Sequence, residues 1–126
     1  MKNTIKKLPE TELELMLALW EANKSVQRNY FNSKFSEKGW SDSTILTLLS
    51  RLQEKGFVTS EKSGNKNIYT AIISKDEYLK VENSSFLSRL HKGSIKHFVA
   101  SLADSDGLTN DDIDELENLL KQLKVK

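Results

Sequence analysis

The sequence predicts a mainly α-helical chain with a small β-hairpin, and the order of three patterns supports this fold class. Three stretches with the apolar spacing of amphipathic helices come first, within residues 9–56. Two short strand-like segments follow around a polar turn, within residues 57–73. Three further helical patterns fill most of residues 75–123. This order predicts a winged helix-turn-helix domain over residues 1–74 and a helical dimerisation domain over residues 75–126.

The first two helices are predicted from the spacing of their apolar residues. Pro9 suits the first turn of a helix, where its missing N–H leaves no hydrogen bond unmade. The apolar positions of this first helix are Leu13, Met16, Leu17 and Trp20. The second helix is shorter, and its apolar positions are Val26, Tyr30, Phe31 and Phe35. The large core residues predicted for the first domain are Trp20, Phe31, Trp40, Leu49, Leu52, Phe57 and Tyr69.

The third helix, predicted within residues 40–56, has two faces of different chemistry. Ser41 is its expected N-cap, and Gly56 is expected to end it. The apolar face consists of Ile45, Leu48, Leu49 and Leu52. The polar face consists of Ser43, Thr44, Thr47, Ser50 and Arg51. A helix that packs on one side and presents hydroxyls and an arginine on the other is typical of a DNA-reading helix.

The hairpin that follows has a basic tip, because Lys62 and Lys66 flank its turn. Residues 1–74 contain 11 Lys or Arg against 8 Asp or Glu, which gives a net charge of +3. Residues 75–126 contain 8 against 10, which gives a net charge of −2. The basic charge therefore lies in the half that contains the third helix, as expected for a domain that contacts phosphates.

Seven residues are predicted to contact double-stranded DNA. Arg51 and the two hairpin lysines would bind phosphates, which position a protein without reading sequence. The hydroxyl side chains of the third helix would reach base edges or thymine methyl groups. The predicted set is Ser41, Ser43, Thr44, Thr47, Arg51, Lys62 and Lys66. The alternative is an adaptor that binds a protein through the same fold, and duplex binding without a steep salt dependence would distinguish it.

The apolar residues of the three later helices have no partner within those helices. Roughly fifteen large apolar side chains, Tyr78 among them, lie on patterns too short to form a globule of their own. A twofold homodimer would cover this surface and present two reading helices to the two halves of a palindrome. The dimerisation residues predicted on this basis are Phe98, Leu102, Ile113, Leu116, Leu119, Leu120 and Leu123.

The composition argues against an enzyme, a cofactor and a metal site. The absence of Cys excludes disulfides and thiolate ligands, and no glycine-rich phosphate loop is present. The two histidines, His91 and His97, would lie about 240° apart on one helix and would not share a face. No apolar run approaches the roughly 20 residues that cross a bilayer, and no signal peptide is recognisable. We therefore expect a cytoplasmic protein that acts by binding.

Two sets of motifs, in order and at matching spacing, are similar to those of a known family. Those of the first half are Glu12-Leu13-Glu14-Leu15-Met16, Trp20, Trp40-Ser41, Thr44, Thr47-Leu48-Leu49, Arg51-Leu52 and Lys55-Gly56-Phe57. Those of the second half are Phe86-Leu87, Lys92-Gly93, Leu108-Thr109, Ile113, Glu115 and Leu116. With these motifs nearly the whole chain resembles the bacterial penicillinase-repressor family, of BlaI, MecI and CopY type. Many relatives have basic residues where this chain has Ser43 and Leu46.

The resemblance implies a homodimeric repressor that blocks its own operon and a resistance or stress gene by binding a palindromic operator. In β-lactam-responsive members a membrane sensor with a metalloprotease domain detects the antibiotic, and the repressor is then cut in its dimerisation half. That cut falls at Asn-Phe, where this chain has Ser101-Leu102. Copper-responsive members have a cysteine pair near the C-terminus, which this chain lacks. Direct binding of a ligand is the other route to release.

Overall fold

A computed structural model describes residues 5–124 of the chain. These residues form two compact units that divide between Glu82 and Asn83. The division lies inside the helix that begins at Lys75, so the functional boundary at residue 74 stays a prediction. No helix within the described residues is long and apolar enough to cross a membrane.

The order of the elements matches the predicted fold class, and all six helices and both hairpin strands are confirmed. Small differences remain at their ends. The elements up to the hairpin are α1 (Glu10–Ala22), β1 (Val26–Gln27), α2 (Arg28–Lys34), a 3₁₀ turn (Ser36–Lys38), α3 (Asp42–Glu54), β2 (Val58–Ser63) and β3 (Lys66–Ala71). The later helices are α4 (Lys75–His91), α5 (Ile95–Asp104) and α6 (Asn110–Lys124). Helix α4 begins in the first unit and ends in the second.

The hairpin belongs to a three-stranded antiparallel sheet with the strand order β1-β3-β2. Strands β2 and β3 pair from Val58 opposite Ala71 to Ser63 opposite Lys66, which leaves a two-residue turn at Gly64-Asn65. Gly64 has a φ of 68°, a conformation that glycine adopts without strain. Strand β1 pairs with β3 and was not predicted, because its two residues begin a stretch whose apolar spacing indicates a helix.

Helices α1, α2 and α3 and the sheet pack around one apolar core in the first unit. The predicted core residues that are buried are Phe31, Leu49, Leu52, Phe57 and Tyr69. Trp20 and Trp40 are only partly buried and pack at the edge of the core. Helix α1 also differs from its prediction, since Leu15 and Leu19 are buried whereas Leu17 is 42% exposed. The buried stripe of α1 is therefore centred on a different side of the helix from the one its apolar residues indicated.

Tyr78 of α4 completes this core, although its sequence pattern placed it on the unpartnered tail. Its side chain is buried, and its hydroxyl accepts a hydrogen bond of 2.9 Å from the N–H of Leu8. The centroid of its ring lies 5.8 Å from that of Trp20 and 5.7 Å from that of Phe57. Burial raises the pKa of the Tyr78 phenol. The assignment of Tyr78 to the tail is wrong, because helical periodicity does not reveal which unit a helix packs against.

A partly buried ion pair connects α1 with the end of α3. Glu12 is only 2% exposed, and Lys55, the residue that follows α3, donates a hydrogen bond to its carboxylate. A carboxylate removed from water is costly unless a charged partner compensates it. The pair therefore holds the end of α3 against α1. Apolar periodicity alone did not indicate either residue.

Helices α5 and α6 contain no buried residue. Helix α6 begins at a reciprocal cap, in which the Thr109 hydroxyl accepts from the Asp112 N–H and the Asp112 carboxylate accepts from the Thr109 N–H. Its large apolar side chains are between 36% and 59% exposed, and these are Ile113, Leu116, Leu119, Leu120 and Leu123. The second unit thus has well-defined helices, but its described residues form no buried core of their own.

The two histidines lie side by side, contrary to the prediction that they would not share a face. The chain turns at Lys92-Gly93, where both residues have positive φ values of 51° and 77°. This turn places His97 of α5 next to His91 of α4, with their Nδ1 atoms 2.7 Å apart. The prediction is wrong because it assumed one continuous helix. Within residues 5–124 no group of three or more potential ligands is arranged to hold a metal ion.

We expect Tyr78→Phe to lower the free energy of unfolding by about 1–3 kcal/mol, because the buried Leu8 N–H loses its partner. Urea denaturation of the full chain measures this change. Tyr30→Phe is the matched control, because its half-buried hydroxyl donates to a carbonyl within α1 and its removal leaves no buried N–H unpaired. Equal losses for the two variants would contradict a special role for Tyr78.

Candidate nucleic-acid interface

Helix α3 has one buried face and one exposed face, as its sequence predicted. Its buried residues are Ile45, Leu48, Leu49 and Leu52. Ser43, Thr44, Thr47, Ser50 and Arg51 are all exposed. Since the buried stripe packs into the core, the polar face is held outward in a fixed orientation. The exposed face therefore offers hydroxyl groups and a guanidinium, the chemistry that contacts bases and phosphates.

The three hydroxyl groups at the start of α3 form one cluster. The Ser41 hydroxyl caps the helix by accepting a hydrogen bond of 3.2 Å from the Thr44 N–H. The same oxygen lies 3.2 Å from the hydroxyl of Ser43 and 3.1 Å from that of Thr44. Ser41 therefore has a structural role, and its contribution to DNA binding stays a prediction.

Thr44, Thr47 and Arg51 lie along one strip of α3, because residues three and four apart are neighbours on a helix surface. Arg51 makes no ion pair among the described residues, so its guanidinium is available to a ligand. This strip places the predicted base-reading hydroxyls and a predicted phosphate ligand side by side. The helical spacing of these three residues in the sequence predicts the same strip.

The start of α3 is fixed to α2 by three polar side chains. Asp42 accepts a hydrogen bond of 2.8 Å from the Asn32 amide and lies 3.4 Å from the Arg28 guanidinium. Arg28 Nε also donates to the Asn32 side-chain oxygen at 3.2 Å. The rings of Phe35 and Trp40, at the two ends of the connecting segment, are 5.2 Å apart between centroids. These contacts fix the position of the first turn of α3 relative to α2.

The hairpin brings Lys62 and Lys66 close to its tip, but not onto one face. Lys62 pairs with Asn67, so these two side chains share a face of the sheet. Lys66 is adjacent to Asn67 in β3, and successive residues of a strand point to opposite faces. Both lysines are exposed. The two side chains therefore extend from opposite faces of the sheet and do not form one site.

A small cleft separates α3 from the hairpin tip and the start of α2, and we call it the α3–hairpin cleft. Residues that line it include Arg28, Asn29, Leu46, Lys66, Asn67 and Tyr69. The sequence patterns did not indicate Arg28 or Leu46 as contact residues. The proximity of Arg28 to the hairpin depends on the pairing of β1 with β3, which apolar periodicity did not reveal. Leu46 is 41% exposed and lies outside the polar set that was used to define the reading face.

The predicted dimerisation and cleavage residues lie on α5 and α6. Phe98 and Leu102 of α5 are partly buried, and the five apolar residues of α6 are exposed. Ser101 is exposed and Leu102 lies near the end of α5, so the bond between them is helical. The Leu102 carbonyl accepts hydrogen bonds from the N–H groups of Ser105 and Gly107, at 3.2 Å and 2.8 Å. These two hydrogen bonds hold the following loop against the last turn of α5.

The sequence model of the penicillinase repressor family matches residues 8–122. The chain belongs to this family. The match confirms the resemblance derived from the sequence motifs.

Two curated relatives agree with this membership. The penicillinase repressor of Bacillus licheniformis is 33% identical over 124 residues, which cover 95% of this chain and 96% of the relative. The methicillin resistance regulatory protein MecI of Staphylococcus aureus (strain N315) is 26% identical over 122 residues, which cover 97% and 99%. Both matches span the two units, so the family resemblance is not confined to the first.

A solved structure from the penicillinase repressor family supports the winged-helix fold. The solution structure of the monomeric form of Bacillus licheniformis BlaI, in complex with the blaP half-operator, matches with a TM-score of 0.50 and 31% identity. The match covers 61% of this chain and 94% of that structure. Its extent corresponds to a winged-helix domain rather than to the whole chain.

We expect Ser41→Ala to lower the free energy of unfolding by about 0.5–2 kcal/mol, because the Thr44 N–H loses its cap. Thermal or urea denaturation measures the loss. Ser43→Ala is the control, since the Ser43 hydroxyl contacts only the Ser41 side chain and caps no backbone group. A Ser41 variant as stable as the Ser43 variant would contradict the capping role.

Proposed function

We propose that the chain is a transcriptional repressor that binds a palindromic operator as a homodimer, acts in the cytoplasm and has no catalytic activity. By analogy with its relatives, it would control a resistance or stress operon. Release from the operator would follow from cleavage within the second unit. The residues predicted to contact DNA are Ser41, Ser43, Thr44, Thr47, Arg51, Lys62 and Lys66.

The observation that carries the proposal is the fixed outward orientation of the polar face of α3 beside a basic hairpin. The apolar stripe of α3 is fully used by the core, so its hydroxyl face cannot rotate inward. A helix about 10 Å wide fits the major groove, and a flanking hairpin can reach the adjacent backbone. The relative solved on a half-operator supports the same use of this fold.

A homodimer is supported by the unpartnered apolar residues of the second unit. Leu120 and Leu123 are 59% and 58% exposed, and three further apolar side chains of α6 are exposed with them. A contiguous apolar surface of this kind marks an interface, and a twofold partner offers the same surface in return. Two linked reading helices would then bind two half-sites, and such linkage adds about 10²–10⁴ in apparent affinity.

Cleavage between Ser101 and Leu102 would separate α6 from the first unit while leaving the winged helix intact. The bond lies in the last turns of α5, which must unwind before a protease can bind the backbone in an extended form. Loss of α6 would remove most of the exposed apolar side chains proposed for the interface. The products would then be monomers that bind one half-site at a time.

The proposed function is tested by selecting duplexes from a random library with the full-length chain. A preferred duplex with two inverted halves is the expected result. A chain that selects no duplex, and whose weak binding is insensitive to salt, would instead match a protein adaptor.

We expect alanine at Arg51, Lys62 or Lys66 to weaken binding to all duplexes and to reduce the slope of log K against log salt by about one unit each. Phosphate contacts do not distinguish sequences, so the preference for the selected duplex should survive. Fluorescence anisotropy at several salt concentrations measures both effects. Lys96→Ala, on α5, is the control, and equal slopes for it and the three variants would contradict the placement of the phosphate contacts.

We expect Leu120→Asp to give a monomer, because the charge replaces a leucine whose burial contributes about 1.5–3 kcal/mol in each subunit. Sedimentation velocity at micromolar concentration measures the association state. Leu17→Asp is the matched control, since Leu17 is exposed on α1 and outside the proposed interface. A Leu120→Asp variant that remains dimeric would move the interface away from α6.

We expect induced cells to contain a fragment that ends at Ser101, because cleavage there would end repression. Mass spectrometry of the protein before and after induction detects this fragment. Full-length protein throughout derepression would exclude cleavage and favour release by a directly bound ligand.

A further inference from the structure

Leu46 is the one large apolar side chain exposed on α3, where it is 41% exposed. A single exposed leucine is ordinary on a protein surface, so exposure alone assigns no role. The position of Leu46 on the helix is more informative than its exposure. Ser43 and Ser50, three residues before and four residues after Leu46, are its neighbours on the exposed surface of the helix. Leu46 therefore lies within the surface that the proposed function turns toward DNA.

Leu46 also borders the α3–hairpin cleft, where the other lining residues are polar apart from the core residue Tyr69. The cleft has a volume of about 240 Å³, which is below the roughly 300–1,000 Å³ of sites for small organic ligands. Arg28, Asn29 and Asn67 are among the residues that line it, and the side chains of all three can donate hydrogen bonds. A phosphate group is small enough for this space and matches these donors.

Arg28 is oriented before any ligand binds. Its Nε donates to Asn32 at 3.2 Å, and its Nη2 lies 3.4 Å from the Asp42 carboxylate. These two contacts leave further guanidinium N–H donors for a ligand, since the group has five. A DNA backbone held at Arg28 would bring the adjacent bases to the flank of α3 on which Leu46 lies.

An apolar side chain at this position restricts which base edge is favourable. The major-groove edges of all four base pairs present hydrogen-bond donors or acceptors. The only methyl group among them is the one on C5 of thymine. Leucine against a donor or acceptor would remove it from water without replacing its hydrogen bond. Leucine against a methyl group buries apolar surface on both sides.

We propose that Leu46 is a specificity-determining residue that packs on the C5 methyl group of a thymine in each operator half-site, while Arg28 binds the neighbouring phosphate. This inference rests on the proposed function and adds a residue that the polar reading face does not include. It predicts a thymine requirement at one position of each half-site.

Uracil provides the test, because it differs from thymine only by the missing methyl group. Each thymine of the duplex selected by the full-length chain is replaced by uracil, one symmetric pair at a time, and Kd is measured for each duplex. We expect that replacing thymine by uracil at one symmetric pair weakens binding by about fourfold for each methyl group lost. Leu46→Ala should bind the thymine duplex more weakly and should not distinguish it from the uracil duplex at that pair.

Leu17→Ala is the matched control, because Leu17 of α1 is 42% exposed and lies outside the proposed interface with DNA. It should retain the full preference for thymine. Arg28→Ala should weaken binding to both duplexes, since it removes a phosphate contact and one of the contacts that hold the start of α3. Leu46→Asn keeps the size and branching of the side chain but replaces its two methyl groups by polar atoms, and it should also lose the preference for the methyl group of thymine.

Two results would overturn the inference while leaving the proposed function intact. One is a wild-type chain that selects a duplex yet shows no loss at any uracil pair. The other is a Leu46→Ala variant that remains as sensitive to uracil as the wild type. If the wild-type chain selects no duplex, the proposed function and this inference fail together.

Discussion

Burial of the apolar stripe of α3 is the constraint on which the rest of the interface depends. Ile45, Leu48, Leu49 and Leu52 each contribute about 1.5–3 kcal/mol on burial, so turning the helix about its axis would cost many times the thermal energy. The ion pair between Glu12 and Lys55 holds one end of the helix, and the contacts of Asp42 with α2 hold the other. The polar face thus has a fixed position before DNA arrives, and little binding energy is needed to order it.

The two units achieve stability by different means. The first unit has an apolar core of its own, and Tyr78 of α4 contributes to it through its ring and through its hydrogen bond with Leu8. The helices of the second unit are capped by local hydrogen bonds, such as those of Ser94 and Thr109, but α5 and α6 contain no fully buried side chain. Capping specifies where a helix begins, whereas association is needed to cover its apolar face. In the proposed repressor, operator affinity would therefore depend on the unit that does not contact DNA.

The sequence predicted the helices and the hairpin strands well, but it predicted less well which of these elements pack together. Periodicity identified α3 and its outward face because burial repeats at the helical period, and Ser41 was identified as a cap because few residue types cap a helix. Periodicity failed at Tyr78 and Leu17, because it does not specify which surface a helix packs against. It also missed β1, and with it the location of Arg28 beside the hairpin, because a two-residue strand leaves no repeat to detect. The histidine pair was missed for a related reason, since the turn at Lys92-Gly93 reverses the direction that a continuous helix would take.

Under the proposed function, two copies of the α3 and hairpin surface bind one duplex together. Hydroxyl-radical footprinting of the full-length chain on its selected duplex tests this claim, because it locates every backbone contact at single-nucleotide resolution. We expect two protected segments related by a twofold axis, with their centres one helical turn of about 10 base pairs, or a multiple of it, apart. A single protected segment, or protection spread evenly along the duplex, would contradict the claim.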